Sequence, residues 1–123
     1  KIRPHLRKVS LIDFEGICSA DMYPLRAKRS LLPRFLYLII LGNHFSNFAT
    51  RMSMRTGIPK INRKELGQYY CALPSIIEQK KISDIIAAVD TKLNMEFKEI
   101  DGLRKLKQGL MQLLLTGKVR VKV

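Results

Sequence analysis

Two groups of cations are the residues of this chain best placed to do chemistry. Arg51, Arg55, Lys60, Asn62, Arg63 and Lys64 surround the loop Arg-Thr-Gly-Ile-Pro-Lys-Ile-Asn-Arg at residues 55–63, and Arg3, Arg7 and Lys8 form a second group near the start. Guanidinium and ammonium groups neutralise phosphates, and Arg, Lys or Asn side chains also reach base edges. Gly57 lets a backbone come close to a ligand, and Pro59 stiffens the loop. Other constellations are poorer. His5 and His44 are isolated, with no acid at a triad-like spacing. Cys18, between Ile17 and Ser19, reads as a small buried residue rather than a nucleophile. Asp13, Glu15 and Asp21 read as turn acids. Tyr23, Tyr37, Tyr69 and Tyr70 have faces that stack on bases, but core or sheet packing is the plainer reading. The chain has no Gly-rich phosphate loop, no methyl-donor motif and no metal-ligand spacing. No metal, no cofactor and no catalytic residue of its own is therefore expected.

The charge behind these groups is uneven. The net charge is +13 over 123 residues. Residues 1–75 hold 13 Lys/Arg against four acids, and residues 76–123 hold ten against six. An excess of this size in the first part attracts polyanions and is screened by salt, so nucleic acid leads as partner class. A lipid surface fits less well, because the cations do not border an exposed apolar stripe. No run approaches the roughly 20 apolar residues of a membrane span, and no signal peptide is visible. Two cysteines without ligand spacing suit a reduced, cytoplasmic protein. The chain opens Lys-Ile-Arg-Pro without an initiator Met, so it is expected to be a fragment or a processed product.

The element that must carry these cations is marked from residue 75 to residue 117. Ser75 and Glu78 make an S-x-x-E capping box, and Gly117 stands where a left-handed stop suits glycine. About 39 residues between them span roughly 58 Å as a helix. With Ile86 as heptad position a, Ile86, Leu93, Ile100, Lys107 and Leu114 fall on a, and Ile82, Val89, Glu96, Leu103 and Leu110 on d. Eight of these ten are apolar, which predicts a coiled-coil seam. Phe97 fills in beside Glu96, and Lys107 is a candidate register-setting residue. Gly102 and Gly109 fall at c, off the seam. The interface is thus predicted as Ile82, Ile86, Val89, Leu93, Phe97, Ile100, Leu103, Leu110 and Leu114. The alternative is a long helix packed on its own domain.

Ahead of that helix, residues 2–12 read as a basic strand–turn–strand bent at Pro4. Residues 13–16 read as a turn, 17–25 as an extended segment and 30–33 as a helix entry. Two short helices follow, at 34–42 and 44–54, the second capped by Asn43 and carrying Phe45, Phe48, Ala49 and Met52 on one face. Residues 55–63 form the cationic loop, 66–73 a last strand, and 118–123 a short terminal strand. The expected fold is α+β: a small mixed sheet with short helices at 1–74, a spacer helix at 75–117 and a tail at 118–123. A sheet of three or four strands starting at residue 1 looks incomplete, so more sheet is expected upstream.

Leu73, Pro74, Glu78, Gln79 and Ile82, followed by Leu106, Lys107, Gly109 to Gln112, Leu114 to Lys118, Arg120 and Val121, closely resemble the end of the DNA-specificity (S) subunit of type I restriction–modification systems. That family has a Leu-Pro-x-x-x-Glu-Gln-x-x-Ile entry and a Leu-Lys-x-Gly-Leu-Met-Gln-x-Leu-Leu-Thr-Gly-Lys-x-Arg-Val close. The upstream segments 1–10, 17–25 and 55–62 resemble the second half of a target-recognition domain, so the resemblance covers essentially the whole chain. It implies two recognition domains per subunit, each followed by a long helix. The helices pack antiparallel as a spacer between two half-sites of double-stranded DNA. It also implies methyltransferase subunits docked on the helices, a motor–nuclease subunit in the full complex, and no catalysis. The chain departs from the pattern by lacking the first half of its recognition domain and the whole second domain, and by Arg55 in the loop. The second helix would come from the rest of the subunit or from another copy. The competing readings are a truncated assembly module that binds methyltransferase subunits or self-associates without reading DNA, and an enzyme with an unseen site.

Overall fold

Pro33 starts the first helix, where its missing N–H costs no hydrogen bond. Its ring drives the preceding Leu32 to extended backbone, ψ 138°. The computed structural model describes residues 1–54 and 57–122. Helix α1 (Pro33–Leu41) ends at Gly42, whose N–H donates to the carbonyls of Leu38 and Ile39 at 3.0 and 3.1 Å. Gly42, at φ −63° and ψ 151°, is also the cap of α2 (Asn43–Ser53). Asn43 therefore lies inside α2 and does not cap it. Its side-chain oxygen instead accepts a hydrogen bond from Arg7, 2.8 Å away. A short α3 (Arg63–Leu66) opens with a complete capping box. Asn62 Oδ1 accepts from the Glu65 N–H at 2.9 Å, and Glu65 Oε2 accepts from the Asn62 N–H at 2.8 Å.

The long helix is present as α4 (Ile76–Leu115), 40 residues. Ser75 Oγ accepts from the Glu78 N–H at 3.3 Å. At the other end Gly117 takes φ +72°, its N–H donates to Leu114 O at 3.2 Å, and the Val119 N–H donates to Leu113 O at 3.1 Å. The left-handed turn satisfies carbonyls that the last turn leaves open.

The expected small mixed sheet is absent among the described residues. One isolated antiparallel bridge, Ile2 with Lys60, is all the strand pairing among the described residues. Residues 4–6 form a 3₁₀ turn (Pro4–Leu6) flanked by Arg3 and Arg7 in left-handed backbone, φ 47° and 49°. The segment at 66–73 is divided between the end of α3 and irregular chain, and 118–122 form turns and coil. Apolar alternation makes a strand only where a neighbouring strand takes up its ladder N–H and C=O groups. No such neighbour lines up along 7–25 or 66–73, and Leu11, Ile12, Phe14 and Ile17 stay exposed. The architecture is helical.

Two compact units divide the chain, Lys1–Asp84 and Ile85–Val123. The first is held by a small core containing Phe35, Ala49 and Ile61, and by a polar lock at Gln79. Gln79 is fully buried. Its Oε1 accepts from the Leu32 N–H at 3.0 Å, and its Nε2 donates to Ser30 O and Pro74 O, both at 2.9 Å. Both amide protons and the carbonyl are used, so burial of this polar group is compensated. One turn later Ser83 is buried, and its hydroxyl has no partner among the described residues. The second unit is helix with an exposed apolar stripe, braced by an exposed i,i+4 pair, Lys105–Asp101 at 2.8 Å. Among the described residues no helix is long and apolar enough to cross a membrane.

Candidate nucleic-acid interface

The bridge between Ile2 and Lys60 brings the two cationic groups of the sequence together. The Arg3 N–H donates to Pro59 O at 2.7 Å, and the Ile61 N–H to Lys1 O at 3.0 Å. Along this short extended piece Ile61 is buried while Lys60 and Asn62 are exposed, so the period of two turns the cation outward. Arg63, at the start of α3, lies over the ring of Tyr23 with its Cζ 6.0 Å from the centroid, and Lys1 Nζ lies 5.8 Å from the same centroid. Tyr23 thus holds two cations by their attraction to its ring face. Lys1 also donates to the carbonyl of Ala20.

The remaining predicted residues are placed in different ways. Arg3 is exposed at the N-cap of the 3₁₀ turn, and Lys8 is exposed just beyond it. Arg7 reaches α2: its Nε donates to Ser46 Oγ and an Nη to Asn43 Oδ1, both at 2.8 Å. A left-handed arginine costs roughly 1 kcal/mol, and these two bonds hold Arg7 in that conformation. Asn62 spends its side-chain oxygen on the α3 cap. Lys64 is exposed on α3, and Arg51 is exposed in the last turn of α2. Gly57 has φ +92° and open space where a Cβ would stand. Arg55 lies outside the described residues.

Behind Arg51, α2 is fixed by aromatic packing. Tyr69 stands edge-on to Phe45 with centroids 5.0 Å apart and lies 5.2 Å from Phe48. Its hydroxyl is 3.0 Å from His44 Nδ1. Burial pushes the Tyr69 hydroxyl above the usual phenol range, and Cys71 beside it adds to the rise. On the outer side of α2, His44, Asn47, Thr50 and Arg51 line an open groove of about 440 Å³. Of these, only Arg51 was expected at the DNA from the sequence. The signal was there: Asn47, Thr50 and Arg51 lie away from Phe45, Phe48, Ala49 and Met52 on the helical wheel, with His44 at the border.

On α4 the predicted seam residues Ile86, Val89, Leu93, Phe97, Ile100, Leu103, Leu110 and Leu114 are all exposed, Leu93 at 49% and Leu103 at 58%. Ile82 is half-buried. Near the C-terminal end Leu103, Leu106, Lys107, Leu110, Met111, Leu114 and Leu115 line an apolar groove of about 310 Å³.

Comparison with known proteins gives a consistent result. The family described as "Type I restriction modification DNA specificity domain" matches residues 2–105. The type I restriction enzyme EcoDI specificity subunit of Escherichia coli is 39% identical over 95 residues, which cover 74% of this chain and 21% of that protein. The type I restriction enzyme MjaVIII specificity subunit of Methanocaldococcus jannaschii is 30% identical over 89 residues, 72% of this chain and 21% of that protein. The chain spans about a fifth of the length of these relatives. No solved structure matches it significantly.

Proposed function

The chain belongs to the type I restriction modification DNA specificity family, and from that premise we propose that it serves as part of a non-catalytic specificity subunit that reads one part of a split site in double-stranded DNA. The observation that carries this reading is the joining of the two cationic groups by the Ile2–Lys60 bridge, which sets Arg3, Lys60 and Arg63 on neighbouring backbone. Exposed cations on a pinned backbone neutralise phosphates and hold the protein in register on the duplex. The exposed seam of α4 packs against a second long helix, antiparallel, from the rest of the subunit or from another copy. Its polar face, with Lys80, Asp84, Lys98 and Arg104, docks methyltransferase subunits, and a motor–nuclease subunit joins them for restriction.

The test is a double substitution, Lys60→Ala with Arg63→Ala, in the intact protein, with duplex affinity followed against salt. Loss of two phosphate contacts lowers affinity on all duplexes and reduces the slope of log affinity against log salt by about 2. An unchanged affinity and slope would refute the assignment.

A further inference from the structure

We propose that α2 is a base-reading helix, whose outer face of His44, Asn47, Thr50 and Arg51 enters the major groove of duplex DNA with Asn47 and Arg51 as the specificity-determining pair. This rests on the DNA-specificity reading above and adds the element that does the reading. Positions 44, 47 and 51 follow one another at i, i+3 and i+7, so their side chains emerge on one side of the helix. There they line a single open groove, and His44, Asn47 and Arg51 are exposed.

The chemistry of the face suits base edges. Asparagine pairs with the N6 and N7 edge of adenine, and arginine with O6 and N7 of guanine. Threonine offers a hydroxyl to either partner and a methyl to thymine. The Tyr69 hydroxyl occupies Nδ1 of His44, leaving Nε2 as the ring nitrogen for a ligand. An α2 of 11 residues is about 16 Å long, and a major groove about 12 Å wide admits a helix.

Charge chooses DNA as the occupant. The sequence of α2 holds no Asp or Glu. Arg7 is fastened to its first turn through Asn43 and Ser46, and Arg51 stands in its last turn. Arg7 at the first turn suits a phosphate beside the groove, while Arg51 and the neutral hydrogen-bonding groups before it are left to meet base edges. The adjoining flank of α2 is locked on Tyr69 by Phe45 and Phe48, with His44 at its edge. A site on a packed helix keeps the fixed geometry that base discrimination needs.

The experiment selects bound sequences from randomised duplexes with the intact wild-type protein, then with Asn47→Ala, Arg51→Ala and Arg51→Lys. It measures affinity for the selected and for scrambled duplexes across a salt series. Each variant is expected to relax the preference at one or two base pairs and to lose about tenfold to a hundredfold on the selected duplex. Arg51→Lys keeps the charge but loses the two-pronged donor, so its loss on the selected duplex is expected to resemble that of Arg51→Ala. An unchanged preference in all three variants, with wild type selective, overturns the α2 assignment and leaves the DNA-specificity reading standing. A uniform loss on all duplexes with a shallower salt slope also overturns it, because that marks Arg51 as a phosphate contact. A wild-type protein with no preference among duplexes removes the specificity reading, and this proposal with it.

Discussion

Tyr69 joins three roles in one side chain: it packs on Phe45 and Phe48, bonds His44, and lies near Cys71. Its hydroxyl titrates above the ordinary phenol value because burial disfavours the phenolate, with Cys71 second. The folded state therefore binds that proton more tightly than the unfolded chain. The resulting stability is whole below the ordinary phenol pKa of about 10 and is lost as the pH rises through the raised value. A tyrosinate absorbance titration should show a late-ionising phase, and Tyr69→Phe should remove it. Identical curves for the two proteins would contradict the burial argument. Asn62 also has a local role: its side-chain oxygen is held by the α3 cap. Asn62→Ala should lower the denaturant midpoint by an amount equivalent to about 1 kcal/mol.

At the scale of elements, the entry of α4 is secured by polar groups. Gln79 ties the segment before α1 and the residue before Ser75 to the second turn of α4. Gln79→Leu leaves the Leu32 N–H and the Ser30 and Pro74 carbonyls without that partner. These bonds are part-buried, and each group that water does not then reach costs about 1–3 kcal/mol, so the first unit should melt lower. Ser83, one turn on, should behave in the opposite way. Its hydroxyl is buried without a partner among the described residues, so Ser83→Ala should be neutral or stabilising by up to about 1 kcal/mol. Thermal melting of the two variants decides both points, and equal losses would remove the distinction between a satisfied and an unsatisfied buried polar group.

For the molecule as a whole, the two proposed interfaces respond oppositely to salt. The cationic surface of the first unit holds DNA by charge and is screened as ionic strength rises. The seam of α4 is apolar, and its exposed pairs Lys80–Asp84 and Lys105–Asp101 contribute only a few tenths of a kcal/mol each. Self-association should therefore survive a salt concentration that abolishes DNA binding. Replacing Leu93 and Leu103 together by Glu should give monomers in sedimentation, and an unchanged mass would count against the seam.

The long helix was legible because its signals are local. The Ser75 cap, the apolar period and the Gly117 stop all lie within a few residues of the groups they act on, and the structure uses Ser75 and Gly117 as expected. The two short helices were legible for the same reason, from Pro33 and the apolar face of α2, although Gly42 and not Asn43 caps the second. By itself the sequence also determined that cations flank Gly57 and Pro59 and that the first part of the chain is strongly basic. Tertiary structure decided the rest. Strands depend on distant partners, so the segments expected as strands within 2–12, 66–73 and 118–123 named a sheet that is absent among the described residues. Distance along the chain likewise hid the Ile2–Lys60 bridge, the seating of Arg63 on Tyr23, the hold of Asn43 and Ser46 on Arg7, and the bonds of Gln79 to Ser30 and Leu32. Each of these pairs groups that only folding brings within hydrogen-bonding or ring-contact range, and no period or spacing along the chain encodes such a meeting.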